Sequence, residues 1–363
     1  MTNEEMLHLK EELRNDAREL TRPDMQELIR DGEILSVAQI KERLDEKVAG
    51  QEEAKKALAV LGFDIELRMY GFSVMKTNIL LKGPSGCGKT YLIQTLCDIL
   101  GIPFGTIDAP SVTGAGYRGE DLEQGLERLY ANSGKDLELA QHGIVFIDEF
   151  DKLLIDDVHG SSENVRAQLL KMIEGEVINL NDHGRNGSSG KPTIDTSNIT
   201  FILAGAFSFL KEYKRNNVVN FGKGSTFVSA EADAYESLTR AGFSPELIGR
   251  ISRVVCLNPL TENDLIDIMT IKKDSLLRRY NQMFDDMGVA LSVEMESLQL
   301  AAEEAVEQGF GARGLNHIFK ELLDDARFEV LCHPELYSEC VITPESFRDR
   351  KALLVKDCLR DVS

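Results

Sequence analysis

No stretch of this 363-residue chain approaches the roughly 18 consecutive apolar residues of a membrane-spanning helix. The N-terminus (Met1-Thr2-Asn3-Glu4-Glu5) lacks the basic start of a secretory leader, and no arginine-rich transit peptide is visible. Cys-x-x-Cys is missing as well. Cys87, Cys97, Cys256, Cys332, Cys340 and Cys358 show no zinc spacing, so without a leader they read as free thiols and the expected location is cytoplasmic. The six histidines fall at no metal-ligating spacing, and no Ser/His/Asp or Cys/His arrangement points to a peptidase. Positive charge is scarce: 41 Lys and Arg face 61 Asp and Glu, a net −20, which argues against a protein that works by neutralising nucleic-acid phosphates.

What remains is a globular composition, 42% hydrophobic and 28% charged, in a chain long enough for about two domains. Met6, Leu9, Leu13, Ala17 and Leu20 recur at helical spacing and predict an amphipathic acidic helix that ends before Pro23. It either packs on the following domain or docks an adaptor. From Val37 onward, short apolar runs alternate with helical stretches. The expected strands are Asn78–Leu81, Pro103–Asp108, Ile144–Asp148, Ile199–Leu203 and Arg253–Leu257, in a mainly parallel sheet covered on both faces. After Pro259 the pattern turns helical. Thr261–Asp264 predicts a capping box, and helices are expected over Met295–Glu307 and Gly314–Leu331. Residues 181–196 are polar and Gly/Ser-rich, which predicts a loop.

The strongest motif is Gly83-Pro84-Ser85-Gly86-Cys87-Gly88-Lys89-Thr90, set between an apolar strand and a helix. Glycines let the backbone wrap a polyphosphate with its N–H groups turned inward, and the helix that follows aims its positive end at the same charge. Lys89 is then placed for the β- and γ-phosphates, and the Thr90 hydroxyl for Mg²⁺. Ser85, Gly86, Cys87 and Gly88 supply the wrap. Ile144-Val145-Phe146-Ile147-Asp148-Glu149 reads as a buried strand ending where open parallel sheets bind ligands. Asp148 suits the Mg²⁺ shell, and Glu149 suits orienting and polarising a water. The competing reading is an acidic strand end that caps the next helix. Both carboxylates beside an intact phosphate loop predict hydrolysis of ATP rather than binding alone.

Further segments run in one order: Val48–Lys56, Ala115–Asp121, Ile147–Lys152, Leu169–Gly175, Asp195–Ser197, Gly205–Phe207, Pro245–Arg250 and Gly311–Leu315. With the phosphate loop, this series resembles the ClpX-type AAA+ ATPases over residues 37–350. The resemblance implies an α/β fold, a three-layer P-loop domain with a parallel central sheet and a smaller, mostly helical C-terminal domain. The expected division is an acidic helical extension over 1–36, the large domain over 37–257, the small domain over 258–350 and a tail over 351–363. It also implies a ring hexamer that spends ATP, with Mg²⁺, to unfold protein substrates and thread them through a pore. A ClpP-like peptidase and an adaptor are the implied partners. Val48 and Ala49 match the segment against the adenine. Arg250 matches a finger that reaches a neighbouring subunit's γ-phosphate, the competing reading being a surface ion pair. Arg313 matches an arginine that senses the nucleotide from the small domain, against a simple capping role. At Ala204-Gly205-Ala206 the usual polar sensor is not evident.

Gly116-Tyr117-Arg118-Gly119 corresponds to the substrate-gripping pore loop, in which one aromatic presses on passing side chains without regard to sequence. Three departures qualify the resemblance. The family's Cys-rich zinc domain has no counterpart, the segments after Lys152 and after Gly222 look short, and Val219-Asn220-Phe221 stands where the family carries the Ile-Gly-Phe loop tip that docks the peptidase. Three other readings stand beside the unfoldase: a remodelling ATPase that dismantles one complex without a protease; a nucleic-acid motor or loader, against which the charge and Tyr117 both speak; and a nucleotide-gated scaffold that barely turns over, against which Asp148, Glu149 and Arg250 speak. Arg118 replaces a small apolar residue, and six of them would make a pore cationic. Arg118→Val is therefore expected to weaken a preference for acidic unfolded segments, read as relative degradation or unfolding rates of acidic and neutral substrates; an unchanged preference refutes the role.

Overall fold

The computed structural model describes residues 24–112, 122–155, 161–180, 192–208, 218–220, 235–240 and 242–357. The predicted N-terminal helix, Tyr117, Arg118, Phe221 and residues 181–191 of the predicted loop lie outside these residues; the end of that loop, Thr193–Asp195, pairs as a short strand instead.

Strands β1 (Asn78–Lys82), β2 (Phe104–Asp108) and β3 (Ile144–Asp148) are followed by a short antiparallel pair, β4 (Val177–Asn179) and β5 (Thr193–Asp195). Next come β6 (Thr200–Gly205), β7 (Val218–Asn220) and β8 (Ile251–Cys256). The main sheet has the order β2-β3-β6-β1-β8-β7, and all of its neighbours run parallel except β7. Its strands are apolar on both faces because both faces are covered. On β3, Ile144 and Phe146 enter one core while Val145 and Ile147 enter the other, none of them exposed. Helices Val37–Lys47, Glu52–Met69 and Lys89–Leu100 cover the first face; Glu123–Asn132, Ser161–Glu174 and Pro245–Arg250 cover the second. Leaving water on two faces rather than one is what makes these runs continuous instead of alternating.

Buried polar groups tie the two ends of the sheet. At the N-terminal ends of the strands, the Asn78 side chain donates to the Arg250 carbonyl at 3.1 Å and accepts from the Phe201 amide at 3.0 Å, so one residue locks β8, β1 and β6 together. Arg68, buried at 7% exposure, reaches from its helix to the Thr200 hydroxyl at 3.0 Å. Its neighbour Lys76 is held by the Ile173 and Thr196 carbonyls, and burial pulls its ammonium down to about 7.

The sequence reading took Val219 and Asn220 for part of a loop. They lie in β7, paired antiparallel with β8 through Val219–Val254 and Asn220–Arg253. Two β-branched residues beside the unpaired edge of β8 favour a strand, and pairing removes that edge.

After β8 the chain builds a second core. Helices Glu262–Thr270, Leu276–Asp285, Met295–Glu307, Ala312–Cys332 and Pro344–Asp349 surround Phe284, Ala301, Ile318, Phe319 and Leu322, all with no exposure. Thr261 and Asp264 make the reciprocal capping bonds, with the Asp264 amide 3.2 Å from the Thr261 hydroxyl. A three-stranded sheet of order β11-β10-β9 completes this unit: β9 (Ala290–Val293), β10 (Tyr337–Ile342) and β11 (Leu353–Lys356). Among the described residues, no helix is long and apolar enough to cross a membrane.

Strand β2 and helix Glu123–Asn132 approach closely because neither carries a side chain at the contact. A Cβ at Gly105 would lie 2.4 Å from the Gly125 carbonyl oxygen. Gly105→Ala therefore has to displace helix backbone and is expected to cost about 1–3 kcal/mol of stability. A urea-denaturation midpoint that does not fall would contradict this packing.

Candidate nucleotide site

The site forms where the strands end. β1 stops at Lys82, the loop turns through Gly86 (φ +75°) and Gly88 (φ +93°), and the helix begins at Lys89. Both φ values lie in the left-handed region that glycine enters without strain. Burial pushes the Cys87 thiol up from its usual range, so this loop cysteine is a packed, protonated side chain. The Lys89 ammonium is folded back onto the loop, donating to the Gly83 and Pro84 carbonyls at 2.8 and 3.0 Å.

Two strands away, β3 delivers the acids. The Thr90 hydroxyl is 3.3 Å from Asp148 Oδ2, and Asp148 Oδ1 accepts the Glu149 amide at 2.9 Å. Glu149 has φ +53°, a left-handed backbone at a non-glycine residue, which bends the chain sharply at the strand end and turns the carboxylate towards the phosphate loop. That carboxylate is ion-paired with Lys152 one helical turn on, and both side chains are about half exposed.

Asp151 answers the question left by Ala204-Gly205-Ala206. Its Oδ2 accepts the amides of Ala206 and Phe207 at 3.2 and 3.1 Å, and a Cβ at Gly205 would sit 2.3 Å from its other oxygen. The end of β6 is thus fixed by an acid from the β3 loop rather than by a side chain of its own.

Two cavities flank the loop. One, of about 470 Å³, is lined by Ser85, Lys89, Asp148, Glu149, Asp151 and Arg313 among others. The second, of about 450 Å³, is more apolar and is lined by Val48, Ala49, Leu260, Ile268, Leu276 and Leu315 with a rim of basic residues. Gln51 braces the turn between them. At φ +57° and 8% exposure, its side-chain amide donates to the Asn258 carbonyl at 2.8 Å and accepts the Asn258 amide at 2.9 Å.

The small unit meets the phosphate loop directly. A Cβ at Gly86 would fall 2.0 Å from the Phe310 carbonyl oxygen, and the Ala312 amide donates to the Gly86 carbonyl at 3.3 Å. Helix Ala312–Cys332 starts at this contact and brings the Arg313 guanidinium to 3.5 Å from the Ser85 hydroxyl.

Arg250 is elsewhere. It ends helix Pro245–Arg250, its carbonyl bonded to Asn78 at the opposite end of β1 from the phosphate loop. A five-residue strand separates the two, about 15 Å of chain. Its guanidinium pairs with Glu174 at 2.9 Å, with both side chains largely exposed.

The oxygen donors at Thr90 and Asp148 fit Mg²⁺, a hard cation that takes few protein ligands and completes its shell with water and phosphate oxygens. Among the described residues, no group of three or more His, Cys, Asp or Glu could hold a metal by itself.

The structure thus gathers Ser85, Gly86, Gly88, Lys89, Thr90, Asp148, Glu149 and Arg313 at one cavity, with Cys87, Val48 and Ala49 at the adjoining one. Sequence reasoning missed Gln51, Tyr91, Asp151 and Asn316, which line or brace the same space. Asp151 and Gln51 sit inside quoted motifs, so their polarity next to assigned residues was a usable signal. Tyr91 and Asn316 had none.

Comparison with known proteins identifies relatives for both units of the chain. The profile of the AAA domain (Cdc48 subfamily) matches residues 75–254, and that of the C-terminal D2-small domain of ClpB matches residues 260–343. A Wolinella succinogenes protein named ATP-dependent Clp protease ATP-binding subunit ClpX 2 is 37% identical over 307 residues, covering 80% of this chain and 77% of that one. A Treponema denticola ATP-binding subunit ClpX is 36% identical over 327 residues, 83% of this chain and 78% of its own length. The Azotobacter vinelandii subunit of the same name is 34% identical over 337 residues, 84% and 76%.

Gly86 carries a testable consequence. Gly86→Ala strains a φ of +75° and drives a methyl into the Phe310 carbonyl. Calorimetric titration is expected to show ATP affinity reduced more than tenfold, with the circular dichroism of the folded chain retained; undiminished affinity would mean that the 310–312 contact is not part of the site.

Proposed function

The chain belongs to the ClpX family of AAA+ ATPases, and on that premise we propose that it is the ATP-driven unfolding subunit of a Clp-type protease, acting as a ring hexamer. The observation that carries the reading is the separation of Arg250 from its own phosphate loop by the full length of β1. An arginine at that end of the sheet serves a nucleotide only when a second copy presents it, so assembly and hydrolysis become one event.

In this reading the nucleotide lies across both cavities, its phosphates on residues 85–90 and its base against Val48 and Ala49. Lys89 exchanges the Gly83 and Pro84 carbonyls for phosphate oxygens, a trade of neutral for anionic acceptors that favours the bound state. Thr90 and Asp148 would hold the Mg²⁺, which neutralises phosphate charge and orients the leaving group. Glu149 releases Lys152, orients the attacking water and takes its proton as the bond from the water oxygen to the γ-phosphorus forms and the bond to the ADP oxygen breaks. Arg250 of the next subunit leaves Glu174 for the γ-phosphate, where an arginine contributes about 10³–10⁵ in turnover.

The mechanical step follows from the Gly86–Phe310 contact. A change of phosphate state moves the loop, the loop moves Gly311 and Ala312, and Arg313 on the same helix adds a charged tether. The small unit therefore rotates with the nucleotide cycle. Tyr117 is assigned to the pore grip, and protein chains are the substrate. A ClpP-like peptidase is the proposed partner, with Val219–Phe221 as the first segment to test for docking.

Glu149→Gln is expected to bind ATP while losing at least 100-fold in hydrolysis, and Arg250→Ala to bind ATP but not turn it over. Mixing the two variants should restore part of the activity, because an intact Arg250 then meets an intact Glu149 across an interface; no recovery counts against the shared site. Captured from its native cells with ATP, the Glu149→Gln protein should carry a stoichiometric ClpP-like peptidase and trapped clients. A defined complex without any peptidase would instead identify a dedicated remodelling ATPase.

A further inference from the structure

The two cavities share four lining residues, Gly88, Tyr91, Ala312 and Asn316. A nucleotide with its phosphates in the first cavity and its base in the second must pass its sugar through this neck. Gly88 and Ala312 offer the sugar no side-chain polar group. The Tyr91 hydroxyl already faces the Lys47 carbonyl at 3.5 Å. That leaves the Asn316 carboxamide, which is exposed and makes no hydrogen bond to another protein group among the described residues.

Position along the helix supports the same residue. Asn316 lies three residues after Arg313, so the two project from one face and are separated by about 4.5 Å along the axis. Arg313 lines the phosphate cavity alone, Leu315 lines the base cavity alone, and Asn316 lines both. Within one helical turn these three residues thus line the phosphate side, the base side and the neck between them, where the sugar would lie. The polar rim of the base cavity is otherwise largely engaged: Lys272 donates to the Asp45 carbonyl, Lys273 pairs with Glu46, Asp274 pairs with Lys47 and Arg278 donates to the Lys273 carbonyl. A carboxamide both donates and accepts, which suits a hydroxyl group better than it suits a phosphate.

We propose that Asn316 reads the ribose of the bound nucleotide by hydrogen bonding to its 2′- or 3′-hydroxyl, and so makes the site selective for ribonucleotides over deoxyribonucleotides. The assignment rests on the reading of the two cavities as one nucleotide site. Because the neck is open to water, the selectivity is that of one solvent-accessible neutral hydrogen bond, about threefold to tenfold in affinity.

The test is calorimetric titration of the full chain, wild type and Asn316→Ala, with ADP, 2′-deoxy-ADP, 3′-deoxy-ADP and GDP. Wild type should prefer ADP over one of the two deoxynucleotides by about threefold to tenfold. Asn316→Ala should bind ADP as weakly as wild type binds that deoxynucleotide, with its affinity for the deoxynucleotide unchanged. The inference is overturned if wild type shows no ribose preference, if the preference survives in Asn316→Ala, or if ADP and both deoxynucleotides weaken together. A change confined to the ADP-over-GDP ratio would move Asn316 to the base and overturn it equally. Failure of wild type to bind any of the four would instead bring down the nucleotide reading itself.

Discussion

A missing methyl group holds this molecule together as a machine. At Gly86 the phosphate loop has no side chain, and the Phe310 carbonyl occupies the space where one would be. The Ala312 amide then closes on the Gly86 carbonyl, and a 21-residue helix begins from that point. The wall shared by the two cavities, the reach of Arg313 and the location of Asn316 all follow from where this helix starts. A hinge placed anywhere else would leave the second core packed near the site but insensitive to it.

The opposite wall of the base cavity repeats the same arrangement with polar groups. The end of helix Val37–Lys47 meets the 272–274 segment through Lys272 to the Asp45 carbonyl, the Lys273 amide to the Glu46 carbonyl, and the Lys47–Asp274 pair. Gln51 joins that wall to the linker at Asn258. Beneath it, Lys55 is 2% exposed and faces both Asp45 and Glu52; hydrogen bonds from Lys55 and Lys41 hold the Glu52 carboxyl below the usual range. Breaking one partner of such a buried group leaves a charge without compensation, so this cluster ties the two helices of the wall together.

Much of this was legible in the sequence because the main sheet writes itself in continuous apolar runs. All five parallel strands fall within two residues of their expected positions, since Ile144–Ile147 or Ile79–Leu81 can only be buried on both sides. The β9–β11 sheet was not legible. Its strands are four to six residues long, half-buried and mixed in polarity, and they owe their form to helices packed against one face. The same limit hid Asn316. A side chain that lines a cavity formed between two units has no local pattern, whereas Lys89 and Thr90 are announced by the glycines before them. At Val219 and Asn220 a family likeness pointed to a loop, and β-branched residues beside an open sheet edge made a strand instead.

The groups assigned to chemistry share one further property: each already has a partner inside the chain. Lys89 lies on loop carbonyls, Glu149 on Lys152, Arg250 on Glu174 and Thr90 on Asp148. The two ion pairs are largely exposed, so each contributes little and separates easily when a better partner arrives. A phosphate offers Lys89 that better partner. In the proposed mechanism the partner awaiting Arg250 is a neighbouring subunit's nucleotide, and that awaiting Glu149 is the attacking water. On the proposed reading, these weak resting contacts are the ones that nucleotide binding and subunit assembly would replace. On that reading ring assembly would act on the chemistry through Arg250, and the chemistry on the small unit through Gly86, so the two ends of β1 would carry the two directions of the coupling.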